Sequence, residues 1–165
     1  MLKEEYYPSV QTILFQRIND MDLSTIILMI MALTLGVPKD SPRNAINTYD
    51  ARSAAVALTL TDATPQEIAE MIVLGWEESR FKLNAIGGSG LDLCVYQVMH
   101  APRSVLTDMN ECTMRGLAAW RHWKIICPEH PNAGYNTGKC SSDLGIRRAR
   151  WREAEIKRIM QIATQ

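Results

Sequence analysis

The segment from Thr64 to Ser79 constrains the fold more than any other part of the chain. It opens on Thr64, Pro65 and Glu67, which supply a helix N-cap, a proline at the first helical position and the glutamate of a capping box. The apolar residues that follow cover most of the helix circumference: Ile68, Ala69, Met71, Ile72, Val73, Leu74 and Trp76. Because a helix that is apolar on nearly all sides is buried, we predict a central helix over residues 65–79.

Further helices are predicted around this one. Helical patterns cover residues 45–60, 110–126 and 144–163, and no alternating pattern is strong enough for a large sheet. The 165 residues are 47% hydrophobic and 22% charged, which is typical of a globular protein. We therefore expect a mainly α fold, of the α+β class, built on the central helix.

The beginning of the chain has two interpretations. The uncharged run from Leu23 to Val37 is shorter than the roughly 20 residues that a membrane-spanning helix needs. It predicts either a buried helix or a degenerate export signal that lacks a basic leader. Helix breakers such as Gly36, Pro38 and Pro42 follow it. We therefore divide the chain into an N-terminal segment, residues 1–42, and a main domain, residues 43–165.

The charge of the chain gives no global attraction to nucleic acid. Lys and Arg number 18, Asp and Glu number 18, and the formal net charge is zero. Residues 139–158 are nevertheless rich in Arg and Lys. This basic stretch predicts either a solvated helix face or a surface with a weak attraction to an anionic polymer.

Cysteine content indicates an oxidising compartment. The four cysteines Cys94, Cys112, Cys127 and Cys140 can form two disulfides in three different pairings. A zinc site is the alternative, because His130 lies near two of them, but no second close pair and no His-Glu-x-x-His helix completes it. We therefore expect disulfides, and neither a metal nor a cofactor.

Two glutamates end the central helix, and helical geometry separates them. Glu77 shares the polar face of Glu70, whereas Glu78 is turned about 100° away, toward Leu74 and the gap left by Gly75. Partial burial there would keep a proton on the Glu78 carboxyl near neutral pH, as a general acid requires. A glutamate in a last helical turn is also an ordinary solvated residue. The residues after Glu78 distinguish between these two interpretations.

Five short motifs follow in order. They are Glu78-Ser79-Arg80-Phe81, Asn84-Ala85, Gly88-Ser89-Gly90, Cys94-Val95-Tyr96-Gln97-Val98 and Ala133-Gly134-Tyr135-Asn136-Thr137-Gly138. This series resembles the signature of the lytic transglycosylases related to goose-type lysozyme: Glu-Ser-x-Phe, Asn-x-Ala, a glycine-rich turn, Gly-Leu-Met-Gln and Ala-x-Tyr-Asn-x-Gly. The resemblance covers about residues 64–140. It departs from the family where Cys94 replaces glycine, where Val95-Tyr96 replaces Leu-Met, and where Glu78 and Gln97 are one residue further apart.

The resemblance implies a lysozyme-like fold and cleavage of peptidoglycan glycan strands, by an extracytoplasmic monomer. Glu78 would be the single general acid and base. Ser79, Gln97, Tyr135 and Asn136 would bind the glycan or orient Glu78, with the Tyr135 hydroxyl near the Glu78 carboxyl. The structural alternatives are a helix end for Ser79, a turn amide for Gln97 and ordinary core for Tyr135.

Two other functions stay open beside this one. A hydrolytic muramidase normally needs a second carboxylate, and Asp92 is the available residue, although an aspartate there also fits a loop cap. A glycan-binding module with the same fold would hold cell-wall glycan without cutting it.

The resemblance also bears on the disulfides. The replacement of glycine by Cys94 indicates a branch of the family in which this loop is tied to another element. We predict the pairs Cys94–Cys112 and Cys127–Cys140, since each pair is adjacent in the order of cysteines and closes a loop beside a motif.

Overall fold

The computed structural model describes residues 21–35 and 46–163, and its regular structure is mainly helical. Its helices are α1 (Leu23–Ala32), α2 (Thr48–Thr59), α3 (Pro65–Ser79), α4 (Met109–Ile126), α5 (Pro131–Thr137) and α6 (Asp143–Ala163). A short antiparallel hairpin of β1 (Asp92–Leu93) and β2 (Val98–Met99), then a 3-10 helix (Arg103–Leu106), connect α3 to α4. The prediction of a mainly α fold is confirmed.

Helix α3 is the centre of the fold, with the bounds that the sequence predicts. The Thr64 hydroxyl accepts a hydrogen bond from the Glu67 amide at 3.2 Å, and the Glu67 carboxylate accepts one from the Thr64 amide at 3.0 Å. This capping box fixes the start of the helix. Its end is fixed at Arg80, which has a left-handed backbone with φ of 58°. Between these ends α3 packs against α1, α4 and α6.

The other predicted helices are present with small shifts at their ends. Helix α2 begins at Thr48 with Asn47 as its N-cap, three residues after the predicted start at residue 45, which lies outside the described residues. Helices α4 and α6 each begin one residue before the predicted start. Helix α5 and the hairpin are not predicted by the sequence, because both are too short to show a period.

Residues 23–32 form a helix with one buried face. Asp22 caps α1 by accepting a hydrogen bond from the Thr25 amide at 2.7 Å. Ile26, Met29 and Ile30 are buried where α1 packs against α2, α3 and α6. The predicted boundary near residue 42 lies outside the described residues. Within the ranges 21–35 and 46–163, no helix is both long enough and apolar enough to cross a bilayer.

Both predicted disulfides are present. The bond Cys94–Cys112 joins the hairpin to α4, and the bond Cys127–Cys140 closes the segment that contains α5, with S–S distances of 2.19 and 2.00 Å. The alternative zinc site is not formed, because all four cysteines are used in disulfides. Each bond fixes a segment next to one of the motifs.

Candidate active site

Four of the five predicted site residues line one cavity. This cavity has a volume of about 540 Å³ and lies between the end of α3, the hairpin, α4 and α5. Glu78, Gln97, Tyr135 and Asn136 line it, and so does Asp92. Cavities of about 680 and 710 Å³ lie elsewhere on the molecule, and neither is lined by a predicted site residue. The fold therefore brings together residues that are far apart in sequence.

Gln97 is held in place by the hairpin turn. The backbone is left-handed at Cys94, with φ of 65°, and at Gln97, with φ of 49°. The side-chain amide of Gln97 donates a hydrogen bond to the Cys94 carbonyl at 2.9 Å. Its oxygen lies against Gly87, where an added Cβ would be only 2.6 Å from it. The absence of a side chain at Gly87 therefore leaves room for this oxygen.

The left-handed backbone at Cys94 accounts for the glycine that the similar motif has at this position. A non-glycine residue with a left-handed backbone costs roughly 1–2 kcal/mol. Glycine enters this region without that cost. In this chain Cys94 adopts this backbone conformation and is joined to Cys112 by a disulfide.

Tyr135 closes one side of the cavity. Its hydroxyl donates a hydrogen bond to the Tyr96 carbonyl at 2.6 Å, and its ring lies 6.1 Å from the ring of Trp120. Burial raises the pKa of Tyr135, and the negative charge of Glu78 raises this pKa further. The hydroxyl is therefore protonated at neutral pH and close enough to Glu78 to respond to its charge, but its hydrogen bond goes to Tyr96.

Glu78 has a charged partner that the sequence argument did not include. Its side chain is 20% exposed, and its Oε1 accepts a hydrogen bond from Nη2 of Arg152 at 2.5 Å. The gap expected beside Gly75 is filled, because a Cβ at Gly75 would meet Val95 at 2.9 Å and Tyr96 at 3.1 Å. The immediate surroundings of Glu78 are thus set by a guanidinium as well as by apolar packing.

Arg152, on α6, connects the end of α3 to α5. Its side chain is 1% exposed, and its guanidinium donates hydrogen bonds to the carboxylates of Glu77 and Glu78. It also donates to the side-chain oxygens of Asn132 and Asn136, both at 3.2 Å. A buried charge is stable only when it is paired and hydrogen-bonded, and this guanidinium is both.

Both interpretations of the basic stretch over residues 139–158 put its arginines at the surface, and for Arg152 this prediction is wrong. Residues 147, 148, 150 and 157 of the same helix are exposed, as expected. Arg152 instead shares a buried stripe with Ala149, Ile156 and Ile159. Their spacing of three and four residues was visible in the sequence and could have identified the buried arginine.

Asn136 lines the cavity, but its amide is engaged by the protein. Its oxygen accepts from Arg152 at 3.2 Å and from Arg148 at 3.4 Å, and its nitrogen donates to the Asn132 carbonyl at 3.1 Å. These contacts orient Arg152, which in turn contacts Glu78. Asn136 therefore acts on the site through Arg152.

Ser79 is not among the residues that line the cavity. Its hydroxyl donates to the Gly75 carbonyl at 3.4 Å and accepts from the Lys82 amide at 3.1 Å. These are the contacts of a helix end, which was the structural alternative for this residue.

Asp92 faces the same cavity as Glu78. One of its oxygens accepts a hydrogen bond from the Ser89 hydroxyl at 2.8 Å, and its backbone carbonyl accepts from the Gly87 amide at 2.7 Å. Asp92 thus caps the glycine-rich turn and also presents a carboxylate to the cavity.

The cavity is also lined by residues that sequence reasoning missed. His122 and Trp123 of α4 and Arg148 of α6 line the cavity. The centroids of the His122 and Trp123 rings are 5.7 Å apart, and the rings have an edge-to-face arrangement. An aromatic wall and a cation suit a glycan that carries acidic groups, but the sequence gives no local motif for them.

Comparison of this chain with models of protein families, with curated proteins and with solved structures finds no match.

Proposed function

We propose that this protein is a lytic transglycosylase with a lysozyme-like fold, which cleaves the β-1,4 bond between N-acetylmuramic acid and N-acetylglucosamine in peptidoglycan. The observation that carries the proposal is the meeting of Glu78, Gln97, Tyr135 and Asn136 on one cavity. A volume of about 540 Å³ accommodates a small part of a glycan strand.

The reaction needs one carboxyl group. Protonated Glu78 donates its proton to the glycosidic oxygen while the bond to the anomeric carbon breaks. The 2-acetamido group of the substrate stabilises the resulting positive charge. The 6-hydroxyl of the same sugar then attacks the anomeric carbon, and ionised Glu78 accepts its proton. The products are a 1,6-anhydro sugar and a free 4-hydroxyl, and no water is consumed.

The contact between Arg152 and Glu78 orients the carboxyl group of Glu78. Arg152 fixes Oε1 at 2.5 Å. Within the described part of the chain, no hydrogen bond reaches Oε2 of Glu78, so this oxygen is free to meet the glycosidic oxygen. Gln97 supplies an amide for the glycan, and neutral Tyr135 closes the cavity on the other side.

The position of Asp92 supports a second candidate function, a hydrolytic muramidase. Hydrolysis by paired carboxylates requires a second acidic group across the scissile bond, and Asp92 lines the same cavity as Glu78. In this case water would attack and the product would have a reducing end. The remaining alternative is a module that binds glycan without cleaving it. Binding alone would require neither Glu78 nor Tyr135.

The setting of the reaction is part of the proposal. Two disulfides fit an oxidising, extracytoplasmic compartment. We propose that the protein acts there as a monomer on glycan strands, and that the exposed arginines of α6 give a weak attraction to the anionic wall.

The test combines purified peptidoglycan with the wild type and two variants, Glu78→Gln and Asp92→Asn, at equal folded concentration. Glu78→Gln keeps the shape of the side chain but cannot donate a proton, so we expect the rate to fall by at least about 10² to 10⁴. Mass spectrometry of the wild-type products should find 1,6-anhydro ends. The Asp92→Asn variant should give the same 1,6-anhydro ends at most of the wild-type rate. Reducing ends together with an inactive Asp92→Asn would favour the muramidase. A fully active Glu78→Gln would refute the assignment of Glu78.

A further inference from the structure

Two adjacent carboxylates share one buried guanidinium at the end of α3. Arg152 contacts Glu77 through Nε and Glu78 through Nη2. The side chains of Glu77 and Glu78 are 23% and 20% exposed, so burial does not distinguish them. Position does, because Glu78 lines the cavity and Glu77 does not.

We propose that Glu77 serves as the counter-ion of Arg152, so that Glu78 can carry the catalytic proton beside a buried cation. Glu77 and Arg152 are in this view positioning residues that act through Glu78. This inference depends on the proposed function, in which Glu78 must be protonated before it meets the substrate.

The charge balance of the cluster supports this assignment. A lone guanidinium in contact with Glu78 would favour the ionised carboxylate and would oppose a general acid. With Glu77 ionised, Arg152 is already neutralised, and a second negative charge next to it is disfavoured. The cluster is neutral when one of its two carboxylates is protonated. The proton is useful on Glu78, because only Glu78 reaches the cavity.

The remaining charged and titratable groups around the cavity come from every element that packs there. They are Asp92 from the hairpin, His122 from α4, Tyr135 from α5 and Arg148 from α6. Of these, Arg148 contacts the cluster only through Asn136, and Tyr135 stays neutral because its pKa is raised by burial. In the described residues, none of these four contacts Arg152 directly. Arg80, at the end of α3, donates hydrogen bonds to the backbone carbonyls of Trp76 and Glu77. Glu77 is therefore the carboxylate besides Glu78 that can balance the charge of Arg152.

A purely structural ion pair makes a different prediction. If Glu77 only held α3 to α6, its loss would lower stability and would reduce the rate equally at every pH. If Glu77 balances the charge of Arg152, the loss of Glu77 leaves Glu78 as the remaining carboxylate in contact with this cation. The proton on Glu78 is then lost at lower pH, and activity disappears from the alkaline side first.

The first experiment measures the rate of cleavage of purified peptidoglycan against pH. For Glu77→Gln we expect the alkaline limb to move to lower pH, while activity at acid pH is largely kept. Glu77→Asp retains the charge and should keep the wild-type limb. Glu70→Gln removes a carboxylate from the same helix, at a site bound to Trp120 and Lys124, and is the matched control. A Glu77→Gln profile that superimposes on that of the wild type after scaling would overturn the proposal.

A second measurement does not depend on cleavage. Side-chain ¹³C NMR of glutamate-labelled protein follows the protonation of Glu78, with Glu78→Gln to assign its signal. We expect the Glu78 midpoint to lie lower in Glu77→Gln than in the wild type. An unchanged midpoint refutes the role of Glu77 even if the enzyme is active. If the wild type cleaves nothing but the midpoint moves, the proposed function fails while the charge coupling between Glu77 and Glu78 stands.

Discussion

The ion pair between Glu67 and Arg121 predicts a stability that depends on pH. Glu67 is nearly buried at the start of α3, where it accepts hydrogen bonds from the Arg121 guanidinium at 2.8 and 3.0 Å. These bonds lower the pKa of Glu67 from 4.5 to about 2, helped by the hydrogen bond from the Thr64 amide and opposed by burial. Replacement of Glu67 by glutamine removes the charge and keeps the size of the side chain.

The direction and size of the effect follow from this pKa. Because the pKa of Glu67 is lower in the folded state, its stabilisation is complete above about pH 5 and is lost as the pH falls toward 2. The shift corresponds to roughly 3 kcal/mol at about 1.4 kcal/mol for each pH unit. Arg121 is 37% exposed, so solvent screening reduces the expected contribution to about 2 kcal/mol.

The measurement is urea unfolding of the wild type and Glu67→Gln at pH 7 and at several values down to pH 2.5. We expect a difference in the free energy of unfolding of about 2 kcal/mol at pH 7 that shrinks steadily below pH 5. Glu111→Gln is the matched control, because Glu111 pairs with Arg115 on the surface of α4 and should contribute less. A difference that stays constant with pH would show that the charge of Glu67 is not the source of its stabilisation.

Two further predictions concern the packing around the site. Joint replacement of Cys94 and Cys112 by alanine should lower the free energy of unfolding by about 3 kcal/mol, since the bond closes a separation of 18 residues; a loss under about 1 kcal/mol in urea unfolding would contradict this. Gly75→Ala should destabilise by about 1–2 kcal/mol, because its Cβ would lie 2.9 Å from buried Val95. Gly88→Ala is the control, since a Cβ there meets nothing within 4 Å. Equal stabilities of the two glycine variants would disprove the packing argument.

The sequence by itself determined the central helix. The capping box, the proline and the all-round apolar pattern are local signals, and α3 has the bounds that they predict. The pairing of cysteines was also predicted correctly, because each bond joins neighbours in the order of cysteines. The motifs selected residues of which Glu78, Gln97, Tyr135 and Asn136 share a cavity.

Only the tertiary structure decided what surrounds Glu78. The sequence places Glu78 on a helix face, but the identity of its partner depends on how α6 packs against α3, a contact between residues 74 positions apart. The same packing buries Arg152 and gives Glu77 a partner. The packing of α5 against α6 directs the side-chain oxygen of Asn136 to the guanidinium. Helical periodicity reports which face of a helix is buried and not which side chain it meets, because contacts over long sequence separations leave no local pattern. The charge environment of the candidate acid is therefore a property of the packed helices.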